Sequence, residues 1–424
     1  MPKLEINWQE PLDFARRISG NYDENWVFLY SGLSDKIKKS VSIIALFPKE
    51  KIVGNDFLEA EKIIKSDKKK WLGYLSYELG QDFEKLPKTE KSLIDLPKIY
   101  LMNFALMLEF DHDKKKLTAI FDDKKNLEQV LKWAPFLNKT NIQIKNLSSN
   151  FTNESYLAAI SDIKNQIAAG DFYQTNLTRK FFGEFKEKQN HQKNFQLFTR
   201  LTELSPANYS AFLKIDESYI ISSSPELFLK AKNNHILSRP IKGTAPRDQD
   251  LKQDKKNKLN LKNSLKERAE NLMIVDLVRN DLARACAAGS VVVKKLFEIT
   301  SYQNIHHMSS EIHGKIAQNL SAFDAIKSCF PAGSMTGAPK IKAMEVAAKK
   351  EKLNRGVYSG SIGLFSKNEI NSSVVIRTLI LQENKFEFQV GGAITFDSDP
   401  KAELEETFNK AKGIAQLLQV EVKS

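Results

Sequence analysis

Between residues 356 and 394 the chain alternates strand-forming runs with turns too short to hold a helix. Residues 356–365 turn at Lys367-Asn368 into residues 371–381, which turn at Glu383-Asn384 into residues 386–394. Parallel neighbours need a long crossover, so this stretch can only fold as an antiparallel meander. Its register follows from its turns. With two-residue turns, Tyr358 falls opposite Arg377, and Arg377 falls opposite Val390, next to Gly391-Gly392-Ala393. An arginine, a phenol and a glycine-rich backbone meeting in one place suit a carboxylate. The competing reading is an arginine packed for structure alone.

The rest of the chain carries the same β-rich pattern. Trp26–Tyr30 reads as a buried strand, and residues 40–47 as a second one stopped by Pro48. Trp71-Leu72-Gly73-Tyr74-Leu75-Ser76-Tyr77-Glu78-Leu79-Gly80 is dense in aromatics. Residues 100–110 turn at Asp111-His112-Asp113 and return over 117–121 as a hairpin. The polar stretch 139–150 reads as a linker, which divides the chain into regions 1–148 and 149–424. A helix opens with Asn153 as N-cap, its apolar face being Tyr156, Leu157, Ile160, Ile163 and Ile167. Residues 172–182 form a strand carrying Gln174 and Asn176, and 213–215 and 219–221 a hairpin over Asp216-Glu217.

Composition removes several classes of function. No run of eighteen apolar residues occurs, which argues against a membrane span. Met1-Pro2-Lys3-Leu4-Glu5 lacks an apolar signal core, and Cys286 and Cys329 alone make no disulfide framework; the expected setting is cytoplasmic. The net charge of +12 comes mostly from short lysine runs such as Lys68-Lys69-Lys70. No nucleic-acid recognition motif accompanies them, so the excess suits a small anionic substrate drawn into a cleft.

Candidate chemistry concentrates around Arg239-Pro240-Ile241-Lys242-Gly243-Thr244-Ala245-Pro246-Arg247. Prolines constrain the backbone on both sides of Lys242, and Gly243 permits a bend or a close approach. Such an amine is either a solvated surface charge or a buried nucleophile with a depressed pKa. Upstream lies Ser224-Pro225-Glu226. If the hairpin loop is Asn233 to His235, Lys232 pairs with Ile236 and Glu226 lies directly across from Lys242. Glu267 and Glu270 are neighbours on one helical face, and Glu403 and Glu406 repeat the spacing on a helix opened by Asp399-Pro400. Each pair is either a solvated acidic face or half of an oxygen-ligand site for one hard cation, for which Mg²⁺ fits best. Gly333-Ser334-Met335-Thr336-Gly337-Ala338-Pro339-Lys340 is a small-residue loop able to offer backbone N–H groups to an anion. It lacks the spacing of a nucleotide-binding P-loop.

From about Asn153 onward these segments resemble the chorismate-utilising enzymes. The resemblance is carried by Gly170-Asp171-Phe172-Tyr173-Gln174-Thr175-Asn176-Leu177, Ser224-Pro225-Glu226, residues 240–244, Asp276-Leu277-Val278-Arg279-Asn280-Asp281, residues 333–340, Ile376-Arg377-Thr378 and residues 402–410. Gly73-Tyr74-Leu75-Ser76-Tyr77 extends it more weakly into the first region. It implies an α+β fold of two twisted antiparallel β-sheets packed together, with helices outside. Within the family, Pro-Ile-Lys-Gly-Thr around Lys242 is similar to the branch that aminates chorismate at C4; the anthranilate-forming branch has alanine in place of this lysine. The water-adding branches carry a general-base lysine where this chain has Gln174. The resemblance therefore implies formation of 4-amino-4-deoxychorismate, on the way to para-aminobenzoate and folate. It implies Lys242 as a nucleophile at C2 and Glu226 as general acid. It also implies Mg²⁺ on Glu270 and Glu406 assisted by Glu267 and Glu403, with the enolpyruvyl carboxylate held by Tyr358, Arg377 and the amides around Gly391, Gly392 and Ala393. Ala393 stands where many relatives have glycine, which leaves the amide in place. Thr244, His307 and Thr336 would line the pocket. Neither cysteine sits in a glutaminase nucleophile motif, so ammonia would come from a separate glutamine amidotransferase subunit. The alternatives are an anthranilate synthase component I and a ligand binder without turnover.

Overall fold

The structure, a computed structural model, describes residues 1–33, 40–134, 142–302 and 305–421. Every pairing between its strands is antiparallel. The strands form two layers joined through the long pair Val41–Gly54 and Ile99–Asp111. One layer continues from Val41–Gly54 through Trp26–Tyr30, Tyr209–Ile215, Ser218–Ser224, Thr378–Gln382 and Lys385–Ile394 to Gln174–Phe185. The other continues from Ile99–Asp111 through Trp71–Leu75, Ser361–Phe365, Glu369–Val374, Leu227–Lys232 and His235–Arg239 to Ile305–Lys315. Side-chain alternation along the strands fills both sides of each layer. Val27, Ile43 and Ala45 join Leu72, Tyr74, Ile362 and Leu364 in the core between the layers. Their neighbours Trp26, Phe28, Ile44 and Leu46 face outward, into a second core covered by the helices Pro11–Asn21, His191–Leu204 and Pro400–Leu418. Trp71 and Leu75 point outward from the other layer, into a core shared with Phe57–Ser66 and Leu265–Ala283. The expected α+β architecture of packed antiparallel sheets with outer helices is present. Among the described residues no helix is long and apolar enough to cross a membrane.

Several local expectations are corrected. Pro48 does not stop its strand; Val41–Gly54 runs through it, because a bulge between Pro48 and Glu50 absorbs the missing donor. Part of the expected linker is a strand, Ile144–Ser149, laid against Gln174–Phe185; its residues 139–141 lie outside the described ones. The boundary at 148/149 falls inside this strand. Thr152, not Asn153, caps the next helix, accepting from the Ser155 N–H. The expected three-strand meander is four strands, because the chain leaves one layer at Val374 and enters the other at Thr378. An exposed helix, Leu251–Asn263, leads into Leu265–Ala283.

One buried ion pair ties these parts together. Arg355 and Glu351 side chains are each 2% exposed and meet at 2.7 Å. The guanidinium also donates to the carbonyls of Met335 (2.8 Å) and Asn176 (2.7 Å) and stacks 4.5 Å from the Tyr77 ring. Glu351 accepts from the Thr178 N–H. Removing one charge from a buried pair strands the other, at a cost of roughly 3–5 kcal/mol. Glu351→Gln is therefore expected to lower the urea midpoint markedly, and a wild-type midpoint would contradict the role given to this pair.

Candidate active site

The strand Ile241–Pro246 pairs with Ile305–Lys315, but its register shifts between Ile241 and Thr244. Lys242 and Gly243 form the resulting bulge, and Gly243 adopts φ +89°. A Cβ on Gly243 would stand 2.8 Å from Glu267 Oε2, so the left-handed backbone and this close approach to the helix Leu265–Ala283 both favour glycine. The bulge turns Lys242 inward, where it is half-buried. Burial lowers its pKa; Glu270 opposes that, Lys410 adds to it, and Glu226 and Glu406 oppose it.

Glu226 is 4% exposed. Burial pushes its pKa up to about 7, against the lowering effects of Ser334, the Lys242 charge and the Ile241 N–H. The expected register that set it opposite Lys242 is wrong. Asn233 and Asn234 both take positive φ, 53° and 62°, making a two-residue turn that pairs Lys232 with His235. A bulge between Leu227 and Lys230 then pairs Leu227 with Arg239. Strict opposition would give Glu226 to Pro240. Glu226 and Lys242 nonetheless lie near enough for the charge of each to act on the other.

The four carboxylates sit on the first two turns of two helices. Leu265–Ala283 carries Glu267 and Glu270, and Pro400–Leu418, capped by Asp399 as expected, carries Glu403 and Glu406. Lys266 Nζ lies 4.0 Å from Glu403, so the helix starts face each other. Burial, then Glu270 and later Glu406, raise the Glu267 pKa. Burial also raises Glu403, which accepts from Ser398 and is pushed further by Glu406. Burial pushes Glu406 up too, but Lys410 at 2.5 Å outweighs it and leaves its pKa lowered. A Cβ on Gly392 would stand 3.0 Å from Glu403 Oε2 and 3.4 Å from Glu406 Oε1, so the glycine keeps a cradle open beneath them. An all-oxygen donor set of this charge fits a hard divalent cation. Among the described residues no three acidic, histidine or cysteine side chains close on a single point; Lys266 and Lys410 balance the carboxylates instead.

Tyr358 and Arg377 lie where the chain passes from one layer to the other. Extending the ladder Ser361–Val374 puts them in line, and extending Leu379–Phe388 puts Arg377 in line with Val390, as the turns implied. Arg377 is half-buried at φ 51°, and its Nη1 donates to Ser205 Oγ at 3.4 Å. Burial holds its pKa below the usual value. Tyr358 is 4% exposed, and burial raises its pKa. Gly391, Gly392 and Ala393 pair with Thr178, Leu177 and Asn176. His307 is buried, and its pKa is pushed down to about 3 by burial and then by Arg377, so it is neutral. Among the described residues neither His307 ring nitrogen, nor either amide atom of Gln174, has a hydrogen-bond partner. Buried polar groups seldom stay unpaired, so these point to a ligand or water.

Thr244 pairs with His307 in the ladder but is exposed. Thr336 is buried and its hydroxyl donates locally to Gly333 and Ala332. The loop around it is not a free anion cradle: the N–H groups of Met335 and Thr336 bond within the turn, and Gly337 and Ala338 pair with Thr175 and Gln174. Sequence reasoning missed Lys410, whose four-residue spacing from Glu406 marks a helical ion pair. It also missed Ser334 beside Glu226.

The family described as chorismate binding enzyme matches residues 32–416. Aminodeoxychorismate synthase component 1 of Escherichia coli strain K12 is 36% identical over 351 residues, which are 82% of this chain and 76% of that protein. Anthranilate synthase component 1 of Aquifex aeolicus is 32% identical over 370 residues, 82% of this chain and 74% of that protein. The crystal structure of anthranilate synthase component I from Streptococcus pneumoniae TIGR4 superposes with a TM-score of 0.79 at 27% identity, covering 95% of this chain and 97% of that one. The menaquinone-specific isochorismate synthase MenF of Escherichia coli shares the fold, with a TM-score of 0.81 at 16% identity over 99% of this chain and 94% of that one. The chain belongs to the chorismate-binding enzymes.

Proposed function

We propose that this enzyme aminates chorismate at C4 to give 4-amino-4-deoxychorismate, the precursor of para-aminobenzoate in folate synthesis. The observation that carries the reading is the pairing of Lys242, an inward amine with a lowered pKa, with Glu226, a buried acid whose pKa is about 7. The similarity to aminodeoxychorismate synthase component 1 supports it.

Glu270 and Glu406, with Glu267 and Glu403, would hold Mg²⁺, which when bound supplies positive charge to the ring carboxylate. Arg377, Tyr358 and the backbone around Gly391, Gly392 and Ala393 orient the enolpyruvyl carboxylate; Thr244, His307 and Thr336 line the pocket. The neutral Lys242 amine forms a bond to C2, both ring double bonds shift along C1, C6 and C5, and the C4–O bond breaks. Glu226 gives its proton to the departing hydroxyl, which leaves as water. Ammonia then bonds to C4 as the C2–N bond to Lys242 breaks, restoring the lysine. The surplus ammonium proton returns to the Glu226 carboxylate. Ammonia reaches the site from a separate glutamine amidotransferase subunit, and the enzyme works in the cytoplasm.

Incubation of the pure chain with chorismate, Mg²⁺ and ammonium salt is expected to yield aminodeoxychorismate, and glutamine in place of ammonium to yield nothing. Anthranilate as the product would assign the chain to the other branch. No turnover under either condition, with chorismate still bound, would make it a binder. Acid and amine must be protonated and neutral together, so the state of Glu226 is best read directly. In difference infrared spectra against Glu226→Gln, its carboxylic-acid carbonyl band is expected to fade with a midpoint at about 7, the acid form prevailing below it. A midpoint near the ordinary 4.5 would remove Glu226 as a proton donor at neutral pH.

A further inference from the structure

Glu78 belongs to the aromatic-rich segment of the first region, and among the described residues its side chain hydrogen-bonds to none of those assigned to the reaction by sequence. It is nonetheless 8% exposed, a carboxylate in the protein interior. Its two oxygens are divided between adjacent backbone amides: Oε1 accepts from the Arg355 N–H at 2.6 Å and Oε2 from the Gly356 N–H at 2.9 Å. The Tyr77 N–H closes the same turn from the other side, donating to the Gly356 carbonyl at 2.9 Å. Gly356 sits at φ 65° and Ser359 at φ 64°, so the peptide from 355 to 359 is held in a shape that few sequences adopt unaided. Farther on, a Cβ on Gly360 would stand 2.2 Å from the Leu75 carbonyl oxygen, so segment 75–78 grips this peptide at both ends. Tyr358 is the side chain that the peptide delivers, and the Glu226 charge reaches its hydroxyl.

We propose that Glu78 is a positioning residue: by bridging the Arg355 and Gly356 amides it fixes the turn that aims Tyr358 at the substrate carboxylate. This rests on Tyr358 being a substrate-binding residue. A carboxylate is suited to the task because it accepts twice and donates nothing. Glutamine offers one acceptor and turns an N–H group toward the second amide.

Glu78→Gln is expected to raise KM for chorismate about tenfold while kcat stays within about twofold, the pattern of lost uniform binding. Loss of folded enzyme would lower kcat without moving KM. Should Glu78→Gln yield no soluble protein, Glu78→Asp carries the same test, since the shorter side chain cannot bridge both amides. Tyr358→Phe is measured in parallel, alone and combined with Glu78→Gln. The expected result is a raised KM in Tyr358→Phe and little further rise in the double variant. A raised KM in Tyr358→Phe with KM unmoved in both Glu78 variants would overturn the proposal. So would a full, additive rise in the double variant, which would mean that Glu78 acts elsewhere. An unmoved KM in Tyr358→Phe would instead overturn the reading of Tyr358.

Discussion

The guanidinium of Arg355 is the point on which the separate parts of this fold depend. A buried charge is tolerable only when it is paired and its donors are used. Arg355 meets that demand by drawing on partners far apart in sequence: Glu351 on the preceding helix, the Asn176 carbonyl in the strand Gln174–Phe185, and the Met335 carbonyl in the loop before Thr336. Its own amide is held by Glu78 from the first region. Strand Gln174–Phe185 in turn pairs with Lys385–Ile394, which carries Gly391 and Gly392. The requirement to satisfy one cation thereby sets the mutual positions of the loop at Thr336, the glycines beneath the carboxylates, and the turn that bears Tyr358.

Within that frame the site is a cluster of opposed charges around one amine. At a separation of 4 Å two unit charges interact by about 4 kcal/mol at an effective dielectric of about 20, so each neighbour of Lys242 matters. Burial and Lys410 favour the neutral amine, while Glu270, Glu226 and Glu406 favour the ammonium. A divalent cation among the four carboxylates would offset their charge and tilt this balance further toward the nucleophile. Glu226, protonated more readily than an ordinary glutamate, withdraws another negative charge. Burial thus acts on both groups, lowering the pKa of Lys242 and keeping the proton on Glu226 to a higher pH.

Much of the site was legible in the sequence because its elements are local. The carboxylate pairs follow from helical spacing, the Asp399 cap from Asp-Pro, and the alignment of Tyr358, Arg377 and Val390 from turn lengths. What escaped depends on contacts that sequence periodicity does not encode. The Lys242–Gly243 bulge answers to Glu267 on another element, and the Leu227–Lys230 bulge to the strand Glu369–Val374, whose register shifts with it. The Asn233-Asn234 turn was visible as a turn, but its length depended on both asparagines accepting left-handed backbone, which moved the register by one. Pro48 misled because proline signals a strand end unless a bulge takes it up. The layer packing came from family resemblance, since alternation alone shows which residues face inward and not what they face.

The central claim is that Lys242 bonds covalently to the substrate before ammonia arrives. Intact-mass and peptide mass spectrometry of enzyme incubated with chorismate and Mg²⁺ in the absence of ammonia tests it most directly. The account predicts an adduct of chorismate less water on the Lys242 peptide, absent from Lys242→Ala. An unmodified Lys242 peptide, together with undiminished aminodeoxychorismate formation by Lys242→Ala, would contradict it.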